Sequence, residues 1–251
     1  MTKLKEAKIL DHQQIVEDGM KKIYGDRKYS DIILINKGKQ YRCHRIILYA
    51  FTPKWQKCLK TVSPNSKVLV GNISGGNLEN LLELLYLGQV KIRKIFSDEF
   101  MGEIKNFGIE GHHLEEIAGN QSAFVLIKIK NHYRILSDCF HKCLSKAIFT
   151  DCALFAASGG FKKRVEGHRI VFSWFCTEMN QLFDEPNDPI YLFFHEECLK
   201  RVLGLIYKGY SGIEQRGCDS IEFEQAFHSL SCKGELQIEA MDEDDPRYPI
   251  Y

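Results

Sequence analysis

The sequence predicts an α+β protein built from two similar halves. Two recurrences and one pattern of elements predict it. The block Tyr29-Ser30-Asp31-Ile32-Ile33-Leu34-Ile35, followed after a turn by Tyr41-Arg42-Cys43-His44-Arg45-Ile46-Ile47-Leu48, recurs as Phe149-Thr150-Asp151-Cys152-Ala153-Leu154-Phe155, followed by Val165-Glu166-Gly167-His168-Arg169-Ile170-Val171-Phe172. The aspartates lie 120 positions apart and the His-Arg pairs 124, so the second hairpin holds four extra residues. A later block, Leu81-Leu82-Glu83-Leu84-Leu85-Tyr86-Leu87-Gly88, recurs as Val202-Leu203-Gly204-Leu205-Ile206-Tyr207-Lys208-Gly209 at an offset of 121. Three ordered blocks at nearly one offset mark an internal repeat. Within each half, short β-branched strands are interleaved with helical-period segments, the pattern of a small sheet packed on a helical cluster.

In the first copy, residues 9–24 read as an amphipathic helix with Ile9, Val16, Met20 and Ile23 on one face, ended by Gly25-Asp26. Ile32 to Ile35 is a strand, Asn36-Lys37-Gly38-Lys39 a hairpin turn, and Gln40 to Cys43 the return strand. A helix starts at His44, and Pro53 opens the next at its first turn. Val68-Leu69-Val70 is a strand. Asn77 is the expected cap of an apolar helix from Leu78 to Leu87, stopped by Gly88. Val90-Lys91-Ile92 alternates like an exposed strand, and Phe96 to Phe107 forms the closing helix.

The second copy repeats this order. Phe124 to Lys130 is a strand, and Tyr133 to Ala147 an amphipathic helix with Leu136, Phe140 and Leu144 in one row. The Cys152–Ala156 strand, the Ser158-Gly159-Gly160 turn and the Arg164–Glu166 return strand follow, then the helix opened by His168-Arg169. Pro186 to Pro189 is a loop, Ile190 to Phe194 a strand, Glu196 to Lys208 the long apolar helix, and residues 221–230 the last helix. The expected organisation is a first domain over 1–118, a second over 122–238 and an acidic, Pro-punctuated flexible tail over 239–251. A chain of 251 residues suits two such domains.

Bulk properties narrow the function classes. With 44% hydrophobic and 27% charged residues the composition is that of a globular protein, and no apolar run has the length of a membrane helix. The first residues lack an apolar signal core, so the nine cysteines are expected to be reduced thiols. Net charge is +1, but residues 1–120 carry 19 Lys/Arg against 14 Asp/Glu (+5) and residues 121–251 carry 15 against 19 (−4). A basic balance this mild does not point to direct nucleic-acid binding.

The motifs together resemble a BTB/POZ domain, twice. The family reads aromatic-x-Asp-Val-x-Leu, a hairpin, then Ala-His-Arg-x-x-Leu. This is similar to Tyr29-Ser30-Asp31-Ile32 with Cys43-His44-Arg45-Ile46-Ile47-Leu48, and to Phe149-Thr150-Asp151 with Gly167-His168-Arg169. Leu81 to Val90 resembles its Leu-Leu-x-Phe-Met-Tyr-Thr-Gly-x-Val, Tyr207-Lys208-Gly209 matches that block more loosely, and Phe107-Gly108-Ile109-Glu110-Gly111 resembles its Leu-x-Ile-x-Gly close. Leu126-Ile127-Lys128-Ile129-Lys130-Asn131-His132 resembles the lead-in of the arthropod tramtrack/bric-à-brac group, and Ile9-Leu10-Asp11-His12 is a fainter version; both lack that group's tryptophan. The resemblance implies two tandem domains, each a three-stranded sheet on a helical cluster with a leading dimerisation helix. It also implies a non-enzymatic protein-interaction module. Ile9, Val16, Met20, Ile23, Leu136, Phe140 and Leu144 are then the expected interface residues. A short tether makes pairing of the two copies within one chain an expectation of effective concentration.

Asp31 with Arg45, and Asp151 with Arg169, match the charged pair that lines the dimer groove in repressor members of the family, where a corepressor peptide binds. The alternative is that each pair only pins hairpin to helix. His44 and His168 read as local structural histidines, because no Ser or Asp partner recurs at a matching spacing. Cys139 and Cys143, one helical turn apart with His132 nearby, read as apolar-face cysteines, since no second Cys/His cluster completes a zinc site. No Gly-rich phosphate loop or paired-carboxylate constellation is present, so no cofactor is expected. After the second copy the sequence holds no DNA-reading or substrate-receptor motif.

The expected partners are the chain itself or other BTB proteins, with corepressor or chromatin-protein peptides, in transcriptional or chromatin regulation. No membrane partner is expected, and the location is nuclear or else cytoplasmic. The alternative is an adaptor for a cullin-type ubiquitin ligase. Against it, Lys60-Thr61-Val62-Ser63 lacks the acidic aromatic motif of such adaptors, whereas Phe183-Asp184-Glu185 offers a doubtful match.

Overall fold

Strand-period and helix-period segments fold into alternating short strands and helices. The computed structural model describes residues 4–118, 123–158, 161–176, 190–211 and 220–240. In chain order the elements are β1 (Leu4–Ile9), α1 (His12–Asp26), β2 (Ile32–Asn36), β3 (Lys39–Cys43), α2 (Arg45–Phe51), α3 (Gln56–Thr61), β4 (Ser66–Leu69), α4 (Gly75–Leu87), β5 (Gln89–Arg93), α5 (Ser97–Ile104), β6 (Leu114–Ala118), β7 (Phe124–Ile129), α6 (His132–Ser145), β8 (Cys152–Ser158), β9 (Phe161–Gly167), α7 (Arg169–Phe175), β10 (Ile190–Leu192), α8 (Glu196–Lys208), β11 (Tyr210–Ser211), α9 (Ser220–Ser229) and β12 (Leu236–Ala240). The expected junction between residues 118 and 122, the turn at Gly159-Gly160, Phe183-Asp184-Glu185, the Pro186–Pro189 loop and residues 241–251 of the acidic tail lie outside the described residues. The content is α+β with small sheets.

The chain divides into two compact units: Glu17–Phe140, and Met1–Val16 together with His141–Tyr251. In the unit of residues 17–140, β2 pairs antiparallel with β3 from Ile32↔Cys43 to Asn36↔Lys39. The turn is two residues, Lys37 (φ 46°) and Gly38 (φ 84°), and positive φ at both positions matches the twist of the flanking strands. β4 adds to the other edge of β2, parallel, in the order β3-β2-β4. Ile32 and Leu34 face the core, which the leucines of α4 fill.

The α4 helix starts earlier than its leucine stripe. Ser74 is its N-cap, accepting from the Asn77 backbone N–H at 3.3 Å. Asn77 is inside the helix, and its side chain donates to Glu103 at 2.8 Å. The expectation of an Asn77 cap is thus corrected: Gly75-Gly76 is helical because a serine hydroxyl precedes it. A second sheet runs β5-β7-β6, all antiparallel. Val90 and Ile92 are buried on it with Val125, Ile127 and Ile129, so β5 is half-buried, not an exposed strand.

The other unit has its own pair of sheets. β8 and β9 form a hairpin, with β10 parallel to β8 in the order β10-β8-β9. The second sheet runs β11-β1-β12, antiparallel. Here the sequence reading of residues 9–24 is corrected. Ile9 ends strand β1, and the helix begins only at His12. Strand β6 closes the expected first domain and strand β12 runs from the expected second domain into the first residues of the expected tail; the sequence pattern assigns no strand to either.

Candidate interaction site

The leading segments carry the most informative geometry. β1 is the central strand of the β11-β1-β12 sheet, so the N-terminal strand is held by strands from the C-terminal part of the sequence. β7 is central in β5-β7-β6, held by two strands that precede it in sequence. Each opening strand then docks through the same four-residue pattern, Ile9-Leu10-Asp11-His12 or Ile129-Lys130-Asn131-His132.

In the 17–140 unit the Ile129 N–H donates to the Gly88 carbonyl at 2.8 Å. His132 Nε2 lies 2.8 Å from the Leu85 carbonyl, and its ring stacks on Phe51 at 4.8 Å between centroids, tilted by 3°. In the other unit the Ile9 N–H donates to the Gly209 carbonyl at 2.9 Å, His12 Nε2 lies 2.6 Å from the Ile206 carbonyl, and its ring packs on Phe175 at 4.9 Å. A carbonyl only accepts, so both Nε2 atoms carry the proton. Gly88 and Gly209 end α4 and α8 in the left-handed conformation, and a Cβ on either would stand within 3 Å of the histidine ring. The glycines both stop the helices and make room for the incoming histidines. The sequence marks Gly88 as a helix stop and places His12 and His132 in the leading segments, but does not pair either glycine with its histidine. The signal available was the recurrence of Ile-x-Asp/Asn-His at the repeat offset.

A second constellation also recurs. The Tyr86 hydroxyl lies 3.0 Å from the His44 backbone N–H and 2.7 Å from His44 Nδ1, while Nε2 reaches the Lys28 carbonyl at 2.7 Å. His168 does the same with Tyr207 (2.9 and 2.8 Å) and the Ile148 carbonyl (2.8 Å). Burial pushes both tyrosine hydroxyls well above their usual range and lowers the His44 imidazole. With both ring nitrogens bonded, these histidines hold structure. Burial likewise pushes the Cys43 thiol up to about 12, which removes its nucleophilicity at neutral pH.

The two charged pairs differ in geometry. Asp31 accepts from the Arg45 backbone N–H and from Arg45 Nε, both at 2.7 Å, and Arg45 Nη1 donates to the Val62 carbonyl at 2.8 Å. Arg45 is buried and Asp31 half-buried. The aspartate, just before β2, thus accepts from the first turn of α2, and the guanidinium fastens the loop before β4. Asp151 is exposed; it accepts from the Arg169 backbone N–H at 2.7 Å, while Arg169 Nε donates to the Asp151 carbonyl at 3.1 Å.

Of the expected interface residues, Ile9, Val16, Met20, Ile23, Leu136 and Phe140 are buried and Leu144 is half-buried. Among the described residues no group of three or more His, Cys, Asp or Glu side chains is placed to hold a metal, and no helix is long and apolar enough to cross a membrane.

Residues 20–114 match the BTB/POZ domain family, whose domains generally mediate protein–protein interaction. Among solved structures, the BTB domain of zebrafish PATZ1 is similar at 15% identity and a TM-score of 0.34, over 38% of this chain and 79% of that one. No curated protein matches the chain.

Proposed function

We propose that this chain is a non-enzymatic protein-interaction scaffold of two BTB/POZ-like repeats, spanning 1–118 and 122–238, that exchange their leading segments within one polypeptide. It resembles the tramtrack/bric-à-brac group in its lead-in. One observation carries the reading: each repeat's opening strand is the middle strand of a sheet whose outer strands come from the other repeat. The recurring His–Tyr and His–Gly geometries support the duplication. Reciprocal exchange is the arrangement of a symmetric pair, and the tether makes it intramolecular.

The apolar rows Val16-Met20-Ile23 and Leu136-Phe140-Leu144 are then the helical surfaces of self-association. The Asp31–Arg45 and Asp151–Arg169 pairs mark where a corepressor-type or chromatin-protein peptide, or another BTB domain, docks. The setting is nuclear, in transcriptional or chromatin regulation.

A protease site inserted between Gly119 and Asn120 tests the reading. After cleavage the two halves are expected to co-elute as a 1:1 complex, and the uncut chain to have the mass of a single copy by light scattering. Halves that separate under native conditions, or an uncut chain that dimerises, would overturn it. Leu136→Asp with Phe140→Asp is expected to release the cleaved halves, because it places two carboxylates at buried apolar positions.

A further inference from the structure

Cys176 and Cys232 lie 56 positions apart in sequence, yet their Sγ atoms are 3.5 Å apart. Cys176 directly follows α7 and is fully buried; Cys232 follows α9 and is partly exposed. They form an isolated antiparallel bridge. The bond that flanks it runs from the Lys233 N–H to the Phe175 carbonyl at 2.6 Å, joining the residue after one cysteine to the residue before the other. That is the non-hydrogen-bonded kind of antiparallel pair, in which opposed Cα atoms approach to about 4.5 Å and the side chains stand closest. A disulfide spans Cα separations of about 4.4–6.8 Å. The backbone is therefore already placed for a covalent bond, and a small rotation of the side chains closes the remaining gap.

We propose that Cys176 and Cys232 form a reversible dithiol/disulfide site whose co-substrate is a low-molecular-weight disulfide of the glutathione type. Cys232 is the entry point because it alone of the two has exposed surface. Its thiol loses a proton to solvent, and the thiolate attacks one sulfur of the small disulfide, forming a mixed disulfide and releasing one small thiol. The Cys176 thiol then loses its proton and attacks Cys232 Sγ, forming the Cys176–Cys232 bond and expelling the second small thiol. The two protein thiols are oxidised by two electrons and the small disulfide is reduced to two thiols.

The hydrogen bond to Cys176 and burial both push the Cys232 thiol well above its usual range. The site accordingly responds to a sustained oxidising balance and not to a brief pulse of oxidant. The bond would fasten the end of α7 to the segment leading into β12, the strand that receives β1 through the Leu236–Ala240 register. Oxidation would thereby fix the sheet that holds the leading strand.

The test incubates the full chain in glutathione buffers of rising disulfide fraction, quenches by alkylation, and maps the tryptic peptides. The expected result is a linked Cys176–Cys232 peptide that grows with the disulfide fraction, disappears on reduction, and is accompanied by slower amide exchange in β12. Cys176→Ser is expected to stop at a glutathione adduct on Cys232, and Cys232→Ser to leave Cys176 open to alkylation. The peptide map of the unaltered chain decides the matter even where a variant fails to fold. Both cysteines alkylated in excess glutathione disulfide, or glutathione adducts without the internal bond, would overturn the proposal.

Discussion

The Tyr86 hydroxyl holds both the backbone and the ring of His44, at 3.0 and 2.7 Å. It must accept from the backbone N–H, so its single proton goes to Nδ1, and Nε2 carries the proton donated to the Lys28 carbonyl. One hydroxyl thus fixes the tautomer and ties the start of α2 to the last turn of α4. Tyr86→Phe removes this acceptor and donor with little change of volume. It strands two buried polar groups, and a stability loss of about 3 kcal/mol is expected in chemical denaturation. Tyr207→Phe is expected to act similarly through His168.

Acid should loosen the protein through its buried histidines before the carboxylates titrate. Burial lowers the imidazoles of His12, His44 and His132, and their backbone hydrogen bonds only partly offset that effect. The unfolded chain binds these protons near pH 6.5, and the folded chain binds them only at lower pH. The unfolded state therefore holds more protons in this window, and stability falls as pH falls below about 6.5 toward the folded values. The denaturation midpoint is expected to drop between about pH 7 and pH 5, and a His44→Gln/His132→Gln variant should show a flatter profile. A midpoint that rises on acidification would contradict this.

The parts that sequence patterns made legible are those encoded by local period. The β2–β3 hairpin, the His44-Arg45 helix start and the leucine stripe of α4 follow from alternation, turn residues and 3.6-residue spacing. Partner choice has no such period. Nothing in the apolar pattern of Phe124 to Ile129 says that its neighbours are β5 and β6. Strands β6 and β12 escaped because Glu115-Glu116 and Gln237/Glu239 give them the polar outline of loops, while their pairing satisfies the backbone. Ile9 fits a helical face because it stands seven positions, two turns, before Val16, yet Leu10-Asp11 separates strand from helix. The Asp31–Arg45 pair was legible as a pair, but not its capping role, which depends on the hairpin returning beside α2.

The two charged pairs should differ in energetic weight. Asp31 accepts two hydrogen bonds from a buried arginine, whereas Asp151 is exposed and accepts from the Arg169 backbone N–H. Asp31→Ala leaves the Arg45 guanidinium buried beside a lost partner, and a cost of about 3 kcal/mol is expected. Asp151→Ala removes a helix-capping acceptor in water, with a cost of about 1 kcal/mol. Denaturation of the two single variants under one condition checks the ranking, and equal losses would contradict it.

Docking of the second leading segment should depend on the absence of a side chain at residue 88. Gly88 has φ 72°, and an added Cβ would meet the His132 ring at 2.8 Å. Gly88→Ala therefore carries two costs: about 1 kcal/mol for a non-glycine residue in the left-handed region, and the displacement of His132 from the Leu85 carbonyl and the Phe51 ring, about 1–2 kcal/mol. Gly88→Asn separates them, since asparagine tolerates that backbone yet still carries a Cβ. A double-mutant cycle with His132→Ala isolates the steric part: once the ring is gone the Cβ has nothing to strike, so the double variant should lose about 1 kcal/mol less than the sum of the singles. Amide exchange in β7 is the local readout, expected to rise in Gly88→Ala and in His132→Ala and to rise little further in the double variant. Strict additivity would mean that Gly88 serves only to end α4.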